Sequence, residues 1–149
     1  MDQTTQLRWA VLGTGVIANE MAAALARGGR TLAAVGNRTP EKAVAFARKY
    51  GIGKVYGDFH EMFTDPDIDA VYIATSHNTH IGFIEQALSH GKHVLCEKSI
   101  TLNSEELDRA AALAKENGVV LGLSPDGLVQ RAEAAMELVW MRARETGAL

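Results

Sequence analysis

The run Val11-Leu12-Gly13-Thr14-Gly15-Val16-Ile17-Ala18 limits what this chain can fold into more than any other stretch. An apolar segment breaks into glycines and then resumes with helical character, which reads as a buried strand, a tight turn and a helix start. Gly13 permits the sharp turn out of the strand, Gly15 leaves the backbone bare, and Ala18 lets the helix lie close to the strand. The spacing of Gly13, Gly15 and Ala18 is that of a dinucleotide fingerprint. A pyrophosphate would rest on the backbone of Gly13, Thr14, Gly15, Val16 and Ile17, facing the free N–H groups and positive dipole end of the helix.

The rest of the chain repeats this alternation. Strands are expected over Leu7–Leu12, Thr31–Val35, Val55–Tyr56, Ala70–Ala74, His93–Cys96 and Val119–Leu123. Helices are expected from Val16 to about Arg27, from Thr39-Pro40 towards Tyr50, around His60 to Phe63, from about Thr79 to His90, and from Ser104 to Asn117-Gly118. Thr39 is a candidate N-cap with Pro40 at the first helical position, and glycines stop most of the helices. Parallel neighbours need a crossover, so the pattern predicts an α/β fold: a doubly wound parallel sheet in the order 3-2-1-4-5-6. Ligands then belong at the carboxyl ends of the strands, at Gly13 to Gly15, Gly36 to Thr39, Thr75 to His80 and Glu97 to Ser99.

After the sixth strand, Asp126 to Glu145 reads as one long helix with an apolar stripe of Leu128, Val129, Ala132, Ala135, Met136, Val139 and Trp140. The stripe can pack on the sheet, or Trp140 and Met141 near the end of the chain can lack a partner; self-association into a homo-oligomer is expected on the second ground.

Composition excludes some functions. The chain has 149 residues and a formal net charge of -3, with no cluster of Lys and Arg of the kind that marks a nucleic-acid footprint. The polar start, Met1-Asp2-Gln3-Thr4-Thr5-Gln6, lacks the form of a secretory signal, and no apolar stretch is long enough to span a membrane. With Cys96 as the single cysteine, no internal disulfide can form. These features lead us to expect a soluble, cytoplasmic protein with neither nucleic acid nor membrane as its partner.

The second strand identifies the preferred cofactor. A site for NAD places an acid about 20 residues beyond the glycines to bind the ribose 2′-hydroxyl. Here the strand ends Gly36-Asn37-Arg38-Thr39. A carboxylate would repel a 2′-phosphate, whereas Arg38 attracts one with a planar, permanently charged fork. Asn37 and Thr39 can add uncharged hydrogen bonds, and Lys42 follows one turn later. The arrangement favours NADP, with NAD as second choice.

Three further segments extend the pattern: Asp65-Pro66-Asp67-Ile68-Asp69-Ala70-Val71-Tyr72-Ile73-Ala74-Thr75, then His80, then Gly91-Lys92-His93-Val94-Leu95-Cys96-Glu97-Lys98. Together with the glycine run, they make the chain resemble the family of glucose-fructose oxidoreductase, inositol dehydrogenase and the MocA-type proteins, from Leu7 to about Leu123. The resemblance implies an NAD(P)-binding Rossmann domain over residues 1–123. It also implies hydride transfer between the nicotinamide and a sugar, polyol or related hydroxy or keto compound. Glu97 would lie near the nicotinamide ribose, and Lys98 would touch the reacting hydroxyl as the catalytic residue. Thr75, His77 and His80 match a loop that passes near the nicotinamide, although His80 reads equally well as a plain helix-start residue. Ser76 and Ser99 stand where the family has proline, and at Ser99 this removes a fixed backbone angle beside Lys98.

Members of that family carry a second, substrate-binding domain. The helix over 124–149 corresponds to the segment that leads into it, so the chain is expected to be a truncated, cofactor-binding part of the enzyme. A stand-alone NADP-binding or sensing module is the alternative, disfavoured because Glu97 and Lys98 have no purpose in a pure binder. No metal is expected. His77 with His80 and His90 with His93 lie at opposite ends of one helix, on the order of 15 Å apart, and Cys96 reads as a small buried hydrophobe.

Overall fold

The structure, a computed structural model, describes residues 7–75, 80–96, 103–123, 129–145 and 147, and the side chains of all these except 80, 123 and 129–135. Six strands alternate with six helices: β1 (Trp9–Leu12), α1 (Val16–Arg27), β2 (Ala34–Gly36), α2 (Pro40–Tyr50), β3 (Lys54–Tyr56), α3 (Phe59–Thr64), β4 (Ala70–Ile73), α4 (His80–Ser89), β5 (His93–Cys96), α5 (Ser104–Glu116), β6 (Leu121–Leu123) and α6 (Val129–Glu145). The sheet is parallel throughout and its order is β3-β2-β1-β4-β5-β6, as the alternation requires.

Because helices cover both faces, the inner strands are buried at every position rather than at alternate ones, and all but His93 of β5 are apolar there. Trp9, Val11, Tyr72 and Leu95 point into one core with Met21 and Leu25 of α1, Phe46 of α2, and Met136, Val139 and Trp140 of α6. Ala10, Leu12, Val71, Ile73, Val94 and Cys96 point into the other, with Met62 and Phe63 of α3, Ile84 and Leu88 of α4, and Ala110 of α5.

The differences from the sequence reading have local causes. Three strands begin later than expected, β1 at Trp9, β2 at Ala34 and β6 at Leu121, because the ladder is as long as the partners allow. The cap of α5 is Asn103, whose side chain accepts from the Glu106 N–H at 2.8 Å, rather than Ser104. Thr39 stands at the N-cap of α2 but makes no side-chain capping bond.

Trp140 corrects the expectation about the last helix. It is only 7% exposed, packed in the first core with the Arg144 guanidinium 4.8 Å from its ring centroid. α6 lies against α1, β5 and β6, and Met136 and Val139 of its stripe join Trp140 in the core. Trp140 therefore gives no ground for self-association; only Leu138 and Met141 on that helix are large exposed apolar residues among the described ones.

Candidate functional site

The strand register fixes the site. Leu12 lies opposite Gly36 and Ile73, and Ile73 opposite Cys96, so four strands finish along one edge of the sheet. At that edge β1 turns into α1. Gly13 has φ +102°, and a Cβ there would stand 2.7 Å from the Ala74 carbonyl oxygen, so no side chain fits. Its N–H donates to the Gly36 carbonyl at 2.8 Å, and the Ala74 N–H donates to the Leu12 carbonyl at 2.9 Å. The turn is thus clamped between the ends of β2 and β4.

Gly15, two residues on, is different. Its φ is -78°, which any residue can adopt, and a Cβ would meet nothing within 4 Å. A side chain there would fill open space directly at the start of α1. That helix has no acidic residue in its first turn, so its unpaired N–H groups and positive end are unopposed.

The space is a cleft of 660 Å³. Gly13, Thr14 and Gly15 line it on one side, with Ala74 and Thr75 from the end of β4. Asn37 and Arg38 follow β2, and Lys42, Phe46 and Lys49 come from one face of α2. Phe59 of α3 and Phe83 of α4 add an aromatic wall, their rings edge to face at 4.9 Å. Three cations line the cleft and no carboxylate does, among the described residues. Arg38 is exposed, and no carboxylate among the described residues pairs with it or with Lys42 or Lys49. Asn37 donates to the Thr39 carbonyl at 3.4 Å, which bends the chain from β2 into α2.

The structure therefore brings Gly13, Thr14, Gly15, Asn37, Arg38 and Thr75 to one cleft. Val16, 73% exposed, and the half-buried Ile17 sit at the start of α1 but do not line it, and neither does Thr39. His80 opens α4; its side chain, His77, Glu97 and Lys98 lie outside the described residues. Of the paired histidines, His90 and His93 have described side chains, and each meets a backbone group. The His93 Nδ1 accepts from the Val120 N–H at 3.1 Å, and burial lowers its pKa. The His90 Nδ1 lies 2.7 Å from the Gln86 carbonyl oxygen. Among the described residues no group of three His, Cys, Asp or Glu could hold a metal, and no helix is long and apolar enough to cross a membrane.

Several residues of the site were missed by sequence reasoning. Asn19, Lys49, Phe59 and Phe83 lie outside any fingerprint, and only the i, i+7 spacing of Lys42 and Lys49 on α2 could have placed those two on one face. Asn19 is the most connected. Its side-chain amide donates to the Thr14 carbonyl at 3.0 Å and the Gly15 carbonyl at 2.9 Å. Its Oδ1 accepts from the Tyr50 hydroxyl at 2.7 Å and from the Lys49 ammonium at 3.4 Å.

Residues 7–124 match the model of the Gfo/Idh/MocA oxidoreductase family, NAD-binding Rossmann fold. The chain belongs to that family. Among its members, mouse trans-1,2-dihydrobenzene-1,2-diol dehydrogenase is 34% identical over 139 residues, 91% of this chain and 38% of the relative. The 1,5-anhydro-D-fructose reductase of Ensifer adhaerens is 38% identical over 117 residues, 77% of this chain and 35% of the relative. A 3-ketoreductase from Actinomadura kijaniata, solved with NADP and TDP-benzene, superposes with a TM-score of 0.72 at 31% identity, covering 78% of this chain and 36% of that one. The chain thus spans little more than a third of the length of these Gfo/Idh/MocA relatives. The part it matches is the NAD(P)-binding Rossmann domain, as its sequence implies.

Proposed function

We propose that this chain is the cofactor-binding part of an oxidoreductase that uses NADP to interconvert a hydroxyl and a carbonyl on a sugar, polyol or related small molecule. The observation that carries the reading is the cleft at the carboxyl edge of the sheet, where bare Gly15 backbone and Arg38 meet and no carboxylate lines the cleft or pairs with Arg38 among the described residues. A 2′-phosphate brings close to two negative charges, which Arg38 and Lys42 can balance and an acid at the end of β2 would repel. The solved NADP complex of the Actinomadura kijaniata relative supports the same choice. The names of the mouse and Ensifer adhaerens relatives, a diol dehydrogenase and a sugar-derivative reductase, support the substrate class.

In this reading the backbone of Gly13 to Ile17 holds the pyrophosphate, and Asn37, Arg38 and Thr39 hold the adenosine ribose and its phosphate. Thr75, His80 and Glu97 lie towards the nicotinamide. When bound, the cofactor supplies the hydride acceptor or donor. Lys98 takes the hydroxyl proton as the neighbouring carbon is oxidised and returns it on reduction, a role suited to a lysine whose pKa falls on desolvation. Residues 1–123 are the cofactor domain in this reading, and 124–149 the segment after it, whose helix α6 packs on the same core. The substrate is a small molecule and the compartment the cytoplasm.

Fluorescence titration with NADPH and NADH tests the cofactor assignment. NADPH should bind more tightly, and Arg38→Ala should weaken NADPH roughly tenfold, the loss of one charge-assisted contact, while leaving NADH nearly unchanged. Tighter binding of NADH by the unaltered protein would overturn the choice of NADP.

A further inference from the structure

We infer that Asn19 is a positioning residue for the pyrophosphate, a role that rests on the reading of the cleft as a dinucleotide site. In a trans peptide the C=O and N–H point in opposite directions. Asn19 draws the Thr14 and Gly15 carbonyls towards α1 through its two amide hydrogens, at 3.0 and 2.9 Å. The N–H groups on the far side of those same two peptides, those of Gly15 and Val16, are thereby turned away from the Asn19 amide, at a turn whose Thr14 and Gly15 line the cleft.

A glycine turn left to itself has many conformations, and glycine loses more freedom on ordering than any other residue. Here the Asn19 side chain holds the Thr14 peptide and adds a second bond to the Gly15 carbonyl, which also accepts from the Asn19 N–H at 3.0 Å as α1 begins, all before any ligand arrives. Such preorganisation removes part of the ordering cost of binding.

Asn19 is itself held. A primary amide has two donors and one acceptor oxygen, and all are engaged: Oδ1 accepts from the Tyr50 hydroxyl at 2.7 Å and the Lys49 ammonium at 3.4 Å. Tyr50 and Lys49 end α2, the helix that also presents Lys42 to the cleft. The tyrosine therefore links the helix behind the ribose side of the cleft to the turn that holds the phosphates. Asn19 touches no part of the cofactor in this account and acts through the backbone.

The test compares ligands that do and do not use the turn. In the full 149-residue chain, Asn19→Ala should weaken NADPH about tenfold and Tyr50→Phe about threefold. Both should leave 2′-AMP, which has no pyrophosphate, within twofold of the unaltered protein. Adenosine replaces 2′-AMP if the unaltered protein prefers NADH, and far-UV circular dichroism establishes that each variant is folded. Asn19→Asp adds a second measure: it retains an acceptor for Tyr50 and Lys49 but has no donor for the two carbonyls, and it should weaken NADPH at least as much as Asn19→Ala. Unchanged NADPH binding by Asn19→Ala, or an equal loss of 2′-AMP, would overturn the positioning role while the dinucleotide site stands. Failure of the unaltered chain to bind either dinucleotide would overturn both.

Discussion

The two ends of the sheet use charge in opposite ways. At the carboxyl end, Arg38, Lys42 and Lys49 line a cleft that no carboxylate enters among the described residues. At the amino end, acids and bases are matched to one another. Arg8 makes two bonds to the Asp69 carboxylate, at 2.9 and 3.0 Å, and its N–H makes a third at 2.7 Å. Lys54 bridges Asp65 and Asp67 at 2.9 and 3.0 Å, and the Tyr56 hydroxyl donates to Asp65 as well. Lys92, only 6% exposed, donates to the Asp65 and Ile68 carbonyls, both at 2.6 Å. Charges whose partners are already supplied hold loops in place; charges without partners can bind a ligand. The Asp-Pro-Asp-Ile-Asp segment and Lys92 are thus structural, although they are as much part of the family's pattern as the glycines.

The largest expected effect separates two glycines at the carboxyl end. Gly13→Ala forces a Cβ to 2.7 Å from the Ala74 carbonyl oxygen on a backbone with φ +102°, and should destabilise the fold by about 4 kcal/mol, the range of steric strain in a packed turn. Gly15→Ala meets no atom and has an ordinary φ, so stability should change by less than about 0.5 kcal/mol while NADPH affinity falls. Urea unfolding beside a fluorescence titration measures both. Equal stability losses at the two positions would erase the distinction between a glycine needed by the fold and one needed by the ligand.

Next in size is Lys92→Met, which keeps the buried stem but removes the donor from two carbonyls. The Asp65 carbonyl keeps the Ile68 N–H at 3.1 Å, and leaving the Ile68 carbonyl without the Lys92 donor should cost about 2 kcal/mol in urea unfolding. Under conditions where the variant is folded, NADPH affinity should be unchanged, because the carboxyl end is untouched. A loss of affinity without a loss of stability would reverse the assignment of the two ends.

How much of this contrast could be read from the chain differs between its halves. The strand order, the parallel sheet and the glycine turn were legible because they depend on periodicity and on residues with few conformational options. Gly13, Gly15, Asn37, Arg38 and Thr75 meet at the cleft because the parallel register brings the ends of β1, β2 and β4 to one edge. Asn19 and Lys49 were not legible: their roles depend on where the side chains of α1 and α2 meet, 30 residues apart in sequence. Trp140 was misread for a related reason. An apolar stripe shows that a helix has a buried face, but not what covers it, and α1 supplies the cover. The amino end was legible only as a motif, since nothing in the order of Asp65, Asp67 and Asp69 says that Arg8, Lys54 and Lys92 reach them.

The smallest expected effect tests whether the amino end works as a closed set of charges. The Tyr56 hydroxyl, then the Lys54 ammonium, then the Asp67 N–H hold the Asp65 carboxyl well below the usual carboxylate range. A group whose pKa is depressed by folding contributes stability that is present above its unfolded value, near 3.9, and is lost as pH falls towards the folded one. Tyr56 behaves in the opposite sense: burial first, and the bond to Asp65 second, push its pKa up to about 12. Its contribution is complete below the unfolded value near 10 and fades as pH rises through the folded value. The melting temperature should therefore hold steady between roughly pH 5 and pH 9 as far as this cluster is concerned, and decline on both sides. Asp65→Asn removes the carboxylate that titrates and weakens the bond that raises Tyr56, so both slopes should flatten, by a few degrees at each extreme. If Asp65→Asn shifted the curve downward without changing its shape, the cluster would act through geometry alone, and the contrast with the cations of the cleft, which meet no carboxylate among the described residues, would no longer be one of charge.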